Sequence, residues 1–533
     1  MELSILFGGT QGQGVDKVAE IAAKLFANMG YYIFRYRDYS SLIEGGHSFS
    51  VLSVSEKPIH SHKKELDVIL ALDEDVMDRH SDRLAEESCV LTPEGLEEDV
   101  NYNYINTALL GGLAKLFGVK KNRLEEVVEE ELQKTSVGNK KAVEEGYQSF
   151  EQLVELEDKE RSYEIMTGSQ GVVRGAIESG MDVFLAYPMT PATPVFHLLA
   201  EKEEDEDYIT YQLENELAVA NAALGSAHTG AKTMVGTSGG GADLMSEATS
   251  MQGIAEIPFV LYLAQRAGAG SGVPTYTAQA DLGLATKGGH GEFPRVVIAP
   301  GDAVESVEAA NQAFYFAENY RLLSVILGDK HVAESDFTFT SEPDTVEVGR
   351  NIDSENQGGE YENYKITETG NSPRSVPQLN VVKSSSYEHD EKGITVEDAE
   401  KVDEMTEKRL RKGEEVEKES KRFERFKVHG DQSSSTVIIG WGSTKGVLKD
   451  VAKEKGYSFL QVFYLEPFPE EIEEHLKDAE EVVLVENNST GLLGDLIAEN
   501  TGIRIGDDQK ILKYDGRPFR RDKLLERIDE VLG

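Results

Sequence analysis

The chain has 533 residues, enough for three or four domains at about 100–200 residues each. It carries 54 basic against 97 acidic residues, a formal net charge of −43, which excludes nucleic acid and an anionic membrane surface as partners. The longest clean apolar run, Ile257 to Ala264, is far shorter than the ~20 residues that span a bilayer, and Met1-Glu-Leu-Ser has neither the basic nor the apolar region of a signal peptide. One cysteine, Cys89, rules out an intrachain disulfide and any all-cysteine zinc or iron–sulfur site built from this chain alone, and fits a cytoplasmic protein. The acid excess runs the whole length, and reads either as a solubility charge or as the surface of an acidic proteome kept in high salt.

In chain order, residues 1–160 alternate strand and helix periods. Leu3–Phe7 is an apolar strand followed at once by the glycine loop Gly8–Gly14. Val15, Val18, Ile21, Leu25 and Met29 then recur at helical spacing, and Gly30 ends that helix. Tyr32–Tyr36, Phe49–Val54 and Asp67–Leu72 read as further strands of a largely parallel α/β sheet. A charged stretch at 151–163 leads to a second α/β region, 161–335. Its strands are predicted at Val183–Ala186, Thr233–Gly236, Pro258–Ala264, Val296–Ala299 and Leu323–Leu327. Residues 336–434 are polar and charged, an acidic connector in which Val396–Lys427 reads as a solvated helix. The α/β pattern returns over 435–533, with strands at 436–440, 459–463 and 481–485.

Taken locally, each chemical motif has two readings. Gly9, Gly12 and Gly14 sit between a strand and a helix, which suits a tight turn or a phosphate or CoA cradle; Lys17 replaces the third glycine of a dinucleotide fingerprint. Tyr187-Pro-Met-Thr-Pro-Ala-Thr-Pro194 stiffens the C-terminal end of a strand, where α/β sheets bind ligands, and offers Pro188 and Thr190; it is equally a rigid turn. Glu216 opens an alanine-rich helix and reads locally as a cap or dipole partner. Thr237–Gly241, with Gly239 and Gly240, is a second candidate cradle. Arg266 stands beside a glycine loop and suits either a carboxylate ligand or a surface ion pair. Lys287-Gly-Gly-His-Gly-Glu292 adds a cation, a histidine and an acid, and no metal-ligand spacing is present.

In this order the motifs resemble one family. The chain is similar to the alpha subunit of a 2-oxoacid:ferredoxin oxidoreductase with the gamma domain fused ahead of it. The gamma part resembles the family through Gly8–Gly14 and Tyr39–Ser48. The alpha part does so through Tyr187–Pro191, Glu214–Glu216, Thr237–Gly241, Gln265-Arg266, Gly288–Arg295 and Glu388–Gly393, and the C-terminal part through Val485–Gly491. The resemblance implies α/β domains in turn: a gamma swivelling-type domain (1–160), a thiamine-diphosphate pyrimidine-binding domain (161–335), the connector (336–434) and a transketolase C-terminal-like domain (435–533). It implies that Glu216 bonds the aminopyrimidine, with Pro188, Gly239 and Gly240 around the cofactor. Thr190 and Arg266 then face the substrate carboxylate, and Gly9, Gly12 and Gly14 face CoA. Mg²⁺ and the iron–sulfur cluster fall to a beta subunit, so this chain holds no metal and acts only with beta and ferredoxin. The fused layout leans toward 2-oxoglutarate, with Lys287 as the candidate cation for the distal carboxylate; pyruvate and branched-chain oxoacids are alternatives. A non-catalytic nucleotide-binding scaffold is the alternative from another class.

Overall fold

The computed structural model describes the chain except residues 42–45, 98–99, 133–135 and 356–360 and the side chains of Tyr102 and Ser136. The middle of the Tyr39–Ser48 motif therefore lies outside the described residues. Residues Met1–Thr167, Glu334–Ser341 and Phe519–Asp529 form one compact unit; Gly168–Ala333, Glu342–Pro518 and Glu530–Gly533 form a second.

The N-terminal unit holds a seven-stranded sheet. Its order is Leu84–Leu91, Leu66–Ala71, Glu2–Thr10, His47–Ser55, Tyr32–Tyr39, Asp336–Phe339, Glu164–Thr167. The helix Val15–Asn28 packs its apolar stripe (Val18, Ile21, Ala22, Leu25) on this sheet, as its spacing predicts. The sheet is mixed, which corrects the expectation of a largely parallel one. His47–Ser55 runs antiparallel to both neighbours, Glu2–Thr10 and Tyr32–Tyr39. The physical reason is the link 40–46, too short for the crossover of a dozen or more residues that parallel neighbours require. Asp336–Phe339, expected in the connector, is a strand of this sheet; the Thr338 hydroxyl takes the Ile33 N–H at 2.7 Å and donates to the Ile33 carbonyl at 2.9 Å.

The second unit is built on a seven-stranded sheet in the order Tyr464–Glu466, Arg295–Ile298, Leu323–Asp329, Phe259–Gln265, Thr233–Thr237, Val183–Ala186, Ile209–Gln212. All of its pairings are parallel except that of Tyr464–Glu466. Every residue of Phe259–Gln265 and Leu323–Asp329 is buried, the pattern of a parallel sheet covered on both faces. One cover is the helix pair Gly168–Glu178 and Ala303–Tyr320. A Cβ at Gly171 would collide with the Ala303 carbonyl oxygen, so glycine is what lets the helices meet. A five-stranded sheet (Phe426–Gly430, Ser458–Val462, Thr436–Trp441, Glu481–Glu486, Lys510–Leu512) completes the unit.

The connector is not a free tether. Tyr364 donates to the Ala255 carbonyl at 3.1 Å, and Arg374 reaches the Ala227 carbonyl at 3.0 Å and Glu318 at 2.8 Å. The charged helix Ala399–Ser420 forms as predicted, but its expected solvation is corrected on one face. Met405, Lys408, Lys412 and Val416 are buried there, and Lys408 and Lys412 bond the two oxygens of buried Glu256 at 2.5 and 2.8 Å. Charge alone read as exposure; pairing makes burial tolerable.

A net charge of −43 destabilises the compact state by self-repulsion. Raising ionic strength from about 0.1 M to about 1 M cuts the screening length from about 10 Å to about 3 Å. The thermal midpoint, followed by circular dichroism in potassium chloride, is therefore expected to rise by several degrees; a flat or falling midpoint would contradict this.

Candidate active site

Four loops leave the carboxyl ends of parallel strands in the second sheet. The chain steps from Val183–Ala186 out to the edge strand Ile209–Gln212, then returns to Thr233–Thr237 on the other side. Between Val183–Ala186 and Thr233–Thr237 the connections diverge, a topological switch point of the kind where α/β sheets take their ligands.

After the edge strand comes Glu216. Its helix, Glu216–His228, is capped by the residue before it: Asn215 accepts the Ala218 N–H at 2.9 Å. The cap reading of Glu216 is thereby corrected, and its side chain is free for another role. Glu216 is 4% exposed, and its Oε1 is buried with no hydrogen-bond partner. Glu214, two residues earlier, is exposed. A buried carboxyl oxygen left unpaired costs free energy unless a ligand donor meets it.

The loop after Thr233–Thr237 wraps that carboxyl. A Cβ at Gly241 would stand 2.9 Å from Glu216 Oε1 and collide with Thr237 Oγ1, so the site has no room for a side chain there. Gly240 faces open space, and Gly239 lies against the Asp281 carboxylate. Ser238 Oγ is a second buried oxygen without a partner. An unpaired acceptor-or-donor carboxyl, an unpaired hydroxyl and a side-chain-free wall fit a flat, nitrogen-bearing ring such as the aminopyrimidine of thiamine diphosphate.

The third and fourth loops meet. Arg266 Nη1 donates to the Thr190 carbonyl at 2.9 Å, which ties the proline-rich loop containing half-buried Pro188 to the loop after Phe259–Gln265. Burial lowers the Arg266 pKa, and Asp281 opposes that shift. Burial in turn raises Asp281 to about 6, with Arg266 opposing. Asp281 is not among the residues that the sequence singles out. Nor is Gln279, whose carbonyl accepts Asn488 Nδ2 at 3.1 Å, while its side chain receives the Asn487 N–H at 2.8 Å and donates to the Trp441 carbonyl at 2.7 Å. The Val485–Gly491 motif thus holds the far end of the Arg266–Asp281 loop.

Were a substrate carboxylate to sit at Arg266, as the resemblance implies, ionised Asp281 would repel it, and the KM for an oxoacid would rise as pH climbs through about 6. Asp281→Asn should abolish that dependence and lower KM roughly fivefold above it. Steady-state kinetics of both forms over this range check the point; an unchanged profile in the variant would contradict it.

Lys287 and His290 follow Asp281 in the chain. Lys287 is 64% exposed in its side chain and ion-pairs with Glu499 at 2.6 Å, and no contact described for it involves Thr190 or Arg266. His290 lines a cavity of about 680 Å³ together with Glu247, Glu292, Arg409 and Leu217, the residue next to Glu216.

The other glycine loop belongs to the N-terminal unit. Gly12 and Gly14 adopt φ of +95° and +77°, which glycine alone takes freely, and Gly14 starts the helix Val15–Asn28. Gly9 is close-packed, its Cβ position 2.5 Å from Gln13 Oε1, while that of Gly12 meets nothing within 4 Å. Among the described residues no group of three or more His, Cys, Asp or Glu could hold a metal ion, and no helix is long and apolar enough to cross a membrane.

Comparison with known proteins bears directly on this geometry. Residues 174–408 match the family model described as pyruvate flavodoxin/ferredoxin oxidoreductase, thiamine diP-binding, and residues 4–99 match pyruvate ferredoxin/flavodoxin oxidoreductase. A 2-oxoacid:ferredoxin oxidoreductase subunit alpha from Sulfolobus sp is 31% identical over 617 aligned positions, covering 100% of this chain and 97% of the relative. The 2-oxoglutarate synthase subunit KorA of Archaeoglobus fulgidus is 29% identical over 61% of this chain and 88% of its own length. Among solved structures, the 2-oxoglutarate:ferredoxin oxidoreductase from Magnetococcus marinus, with 2-oxoglutarate, coenzyme A and succinyl-CoA bound, superposes with a TM-score of 0.91 at 25% identity over 100% of both chains. With a thiamine diP-binding family model matched over 174–408, a second family model matched over 4–99 and full-length likeness to alpha subunits, the chain belongs to the 2-oxoacid:ferredoxin oxidoreductases, as an alpha subunit.

Proposed function

We propose that this chain supplies the aminopyrimidine half of a thiamine diphosphate site. It works with a beta subunit that carries Mg²⁺, the diphosphate-binding residues and an iron–sulfur cluster, and passes electrons to ferredoxin. The reaction is the CoA-dependent oxidative decarboxylation of a 2-oxoacid, with 2-oxoglutarate as the substrate we favour. The observation that carries this reading is the buried, unpartnered Glu216 Oε1 against the bare wall of Gly241.

When bound, thiamine diphosphate supplies the carbon nucleophile that makes loss of CO2 from a 2-oxoacid possible. The chain's residues supply orientation and proton control. Glu216 shares a proton with a ring nitrogen in a dry setting, where such a bond is strong. Gly239 and Gly240 keep the cofactor's approach clear. Arg266, held at one end by the Thr190 carbonyl, turns its remaining guanidinium donors to the substrate carboxylate, and Thr190 offers its hydroxyl beside it. Exposed apolar side chains on these loops and the edge strand (Tyr187, Ile209, Tyr211, Leu217, Leu244, Val273) support a site completed by a partner subunit.

The bound 2-oxoglutarate named for the Magnetococcus structure and the 2-oxoglutarate synthase relatives support that substrate. One observation favours a second reading, pyruvate or a branched-chain oxoacid: Lys287, the candidate for a distal carboxylate, is engaged by Glu499. By the same family likeness, CoA is assigned to the Gly9–Gly14 loop. The test is a comparison of kcat/KM for 2-oxoglutarate, pyruvate and 2-oxoisovalerate in the assembled enzyme. We expect 2-oxoglutarate to lead by about tenfold or more, as a site built for a second carboxylate discriminates against acids lacking it; equal or higher values for pyruvate would replace that substrate with the second reading.

A further inference from the structure

The loop that begins at Arg266 is gripped from outside its own sheet. Ala267, the next residue, donates its N–H to the Tyr276 carbonyl at 3.0 Å and accepts the Val273 N–H at 2.8 Å, which closes a small hairpin. The return arm of that hairpin is bonded to the five-stranded sheet. Thr277 N–H meets the Gly516 carbonyl at 2.9 Å and Gln279 N–H meets the Asn487 carbonyl at 2.8 Å, at alternate residues as in an extended strip. Trp441, Asn487 and Gly516 lie at or just beyond the carboxyl ends of three adjacent parallel strands, Thr436–Trp441, Glu481–Glu486 and Lys510–Leu512.

The grip is fullest at Gln279, which is fully buried and uses each of its polar groups. Besides the N–H bond to Asn487, its carbonyl accepts Asn488 Nδ2 at 3.1 Å, its Oε1 accepts the Asn487 N–H at 2.8 Å, and its Nε2 donates to the Trp441 carbonyl at 2.7 Å. Glu486 fixes these partners in turn, its Oε2 taking Trp441 Nε1 at 3.1 Å and Asn488 Nδ2 at 2.6 Å. Gly442, at φ +50°, lets the backbone come this close, since a Cβ there would stand 3.1 Å from Gln279 Nε2. A buried amide whose hydrogen-bonding valences are all met by a rigid surround is held in one place.

Both chain neighbours of Arg266 hang on the arm that Gln279 pins. Ala267 is tied to Tyr276, three residues before Gln279. Gln265 is tied to Asp281, two residues after it, through Oε1 and the Asp281 N–H at 2.9 Å, while its Nε2 donates to the Gly328 carbonyl at 3.2 Å. The Asp281 carboxylate lies against Gly239, whose Cβ position is 2.5 Å from Oδ2.

We propose that Gln279 is a positioning residue for the oxoacid: it sets the pose of Arg266, and so makes substrate affinity depend on the five-stranded sheet. This rests on the reading of Arg266 as the ligand of the substrate carboxylate. Arg266 then binds that carboxylate before CO2 leaves, so its displacement raises KM more than it lowers kcat.

The experiment is steady-state kinetics of the assembled enzyme over pH, with whichever of the three oxoacids leads, alongside thermal melts of each variant. Gln279→Ala should raise KM about tenfold and change kcat by less than about threefold. Gln279→Glu is the discriminating variant. When protonated, the new carboxyl matches the amide, its O–H donating to the Trp441 carbonyl and its other oxygen accepting the Asn487 N–H; when ionised, it sets an oxygen against that carbonyl. Burial favours the protonated form. Its KM should therefore match the wild type at low pH and climb toward the Gln279→Ala value as pH rises, each compared with wild type at the same pH. A merely structural glutamine would lower the melting midpoint and leave KM alone. Should Gln279→Ala fail to assemble, the pH-dependent KM of Gln279→Glu decides the matter by itself. Wild-type KM in the Gln279 variants at every pH, with Arg266→Ala raising KM tenfold or more, would overturn this inference and leave the Arg266 reading standing. Wild-type KM in Arg266→Ala as well would overturn both.

Discussion

Glu216→Ala is expected to lower turnover by about 10²–10⁴-fold in the assembled enzyme, the range for loss of a positioned proton-transfer group. Thermal stability should hardly change. Glu216 Oε1 makes no hydrogen bond within the protein, and the helix is capped by Asn215, so the fold does not depend on the carboxyl. Glu216→Gln keeps a polar group but removes the shareable proton, and is expected to remain deeply impaired. The two readouts separate the accounts: a cap or packing role would move the melting midpoint and leave kcat, whereas a cofactor role moves kcat and leaves the midpoint. Turnover at wild-type level in a folded Glu216→Ala enzyme would contradict the site described here.

The second large effect is on stability. Glu256→Ala should cost about 3–5 kcal/mol, because it leaves Lys408 and Lys412 buried without their counter-charge. Denaturant unfolding of the full chain measures this, and the acidic connector is the segment expected to loosen first by hydrogen exchange. Replacing the cluster together (Glu256→Leu, Lys408→Met, Lys412→Met) should recover most of the loss, since an apolar cluster of similar volume is often as stable as a buried ion set. Burial would raise the Glu256 pKa, but Lys408, Lys412 and Arg321 outweigh it and hold the carboxyl well below its usual range. A depressed folded value contributes stability above the unfolded value, about 4.3, that is lost as pH falls through the folded one. The triple variant should therefore unfold less readily in acid than the wild type. An effect below about 1 kcal/mol for Glu256→Ala, the ordinary size for an exposed pair, would contradict the buried-cluster account.

The elements legible in the sequence were those whose cause is local. The helix Val15–Asn28 and the fully apolar strand Phe259–Gln265 follow from periodicity and hydrophobic runs. The direction of His47–Ser55 did not follow, since an apolar strand reads alike in either sense; the short link 40–46 was the available signal. In the site, the position of Glu216 was legible locally, while its role as a cofactor ligand followed only from the family resemblance. Acid at a helix start usually caps it, and only the adjoining Asn215 shows that the cap is taken. Gln279 and Asp281 sit in a polar loop without periodicity; Asn487 and Asn488, about 200 residues away in sequence, hold Gln279, and Gln265 Oε1 takes the Asp281 N–H at 2.9 Å. Lys287, which the sequence offers either as a ligand cation or as a surface lysine, is exposed and ion-pairs with Glu499. The buried faces of Lys408 and Lys412 were hidden because charge reads as solvation until a partner is found in space.

The most direct test of the central claim, that this chain is one half of a thiamine diphosphate active site, is reconstitution by halves. The purified chain, its candidate beta subunit and their co-purified complex would each be assayed for CoA-dependent reduction of methyl viologen with 2-oxoacid, thiamine diphosphate and Mg²⁺, at low and high salt. The account predicts turnover in the complex, none in either subunit alone, and loss of turnover when the complex carries Glu216→Ala. Turnover by one subunit alone, or none in a folded, cluster-bearing complex with any of the three oxoacids, would contradict it.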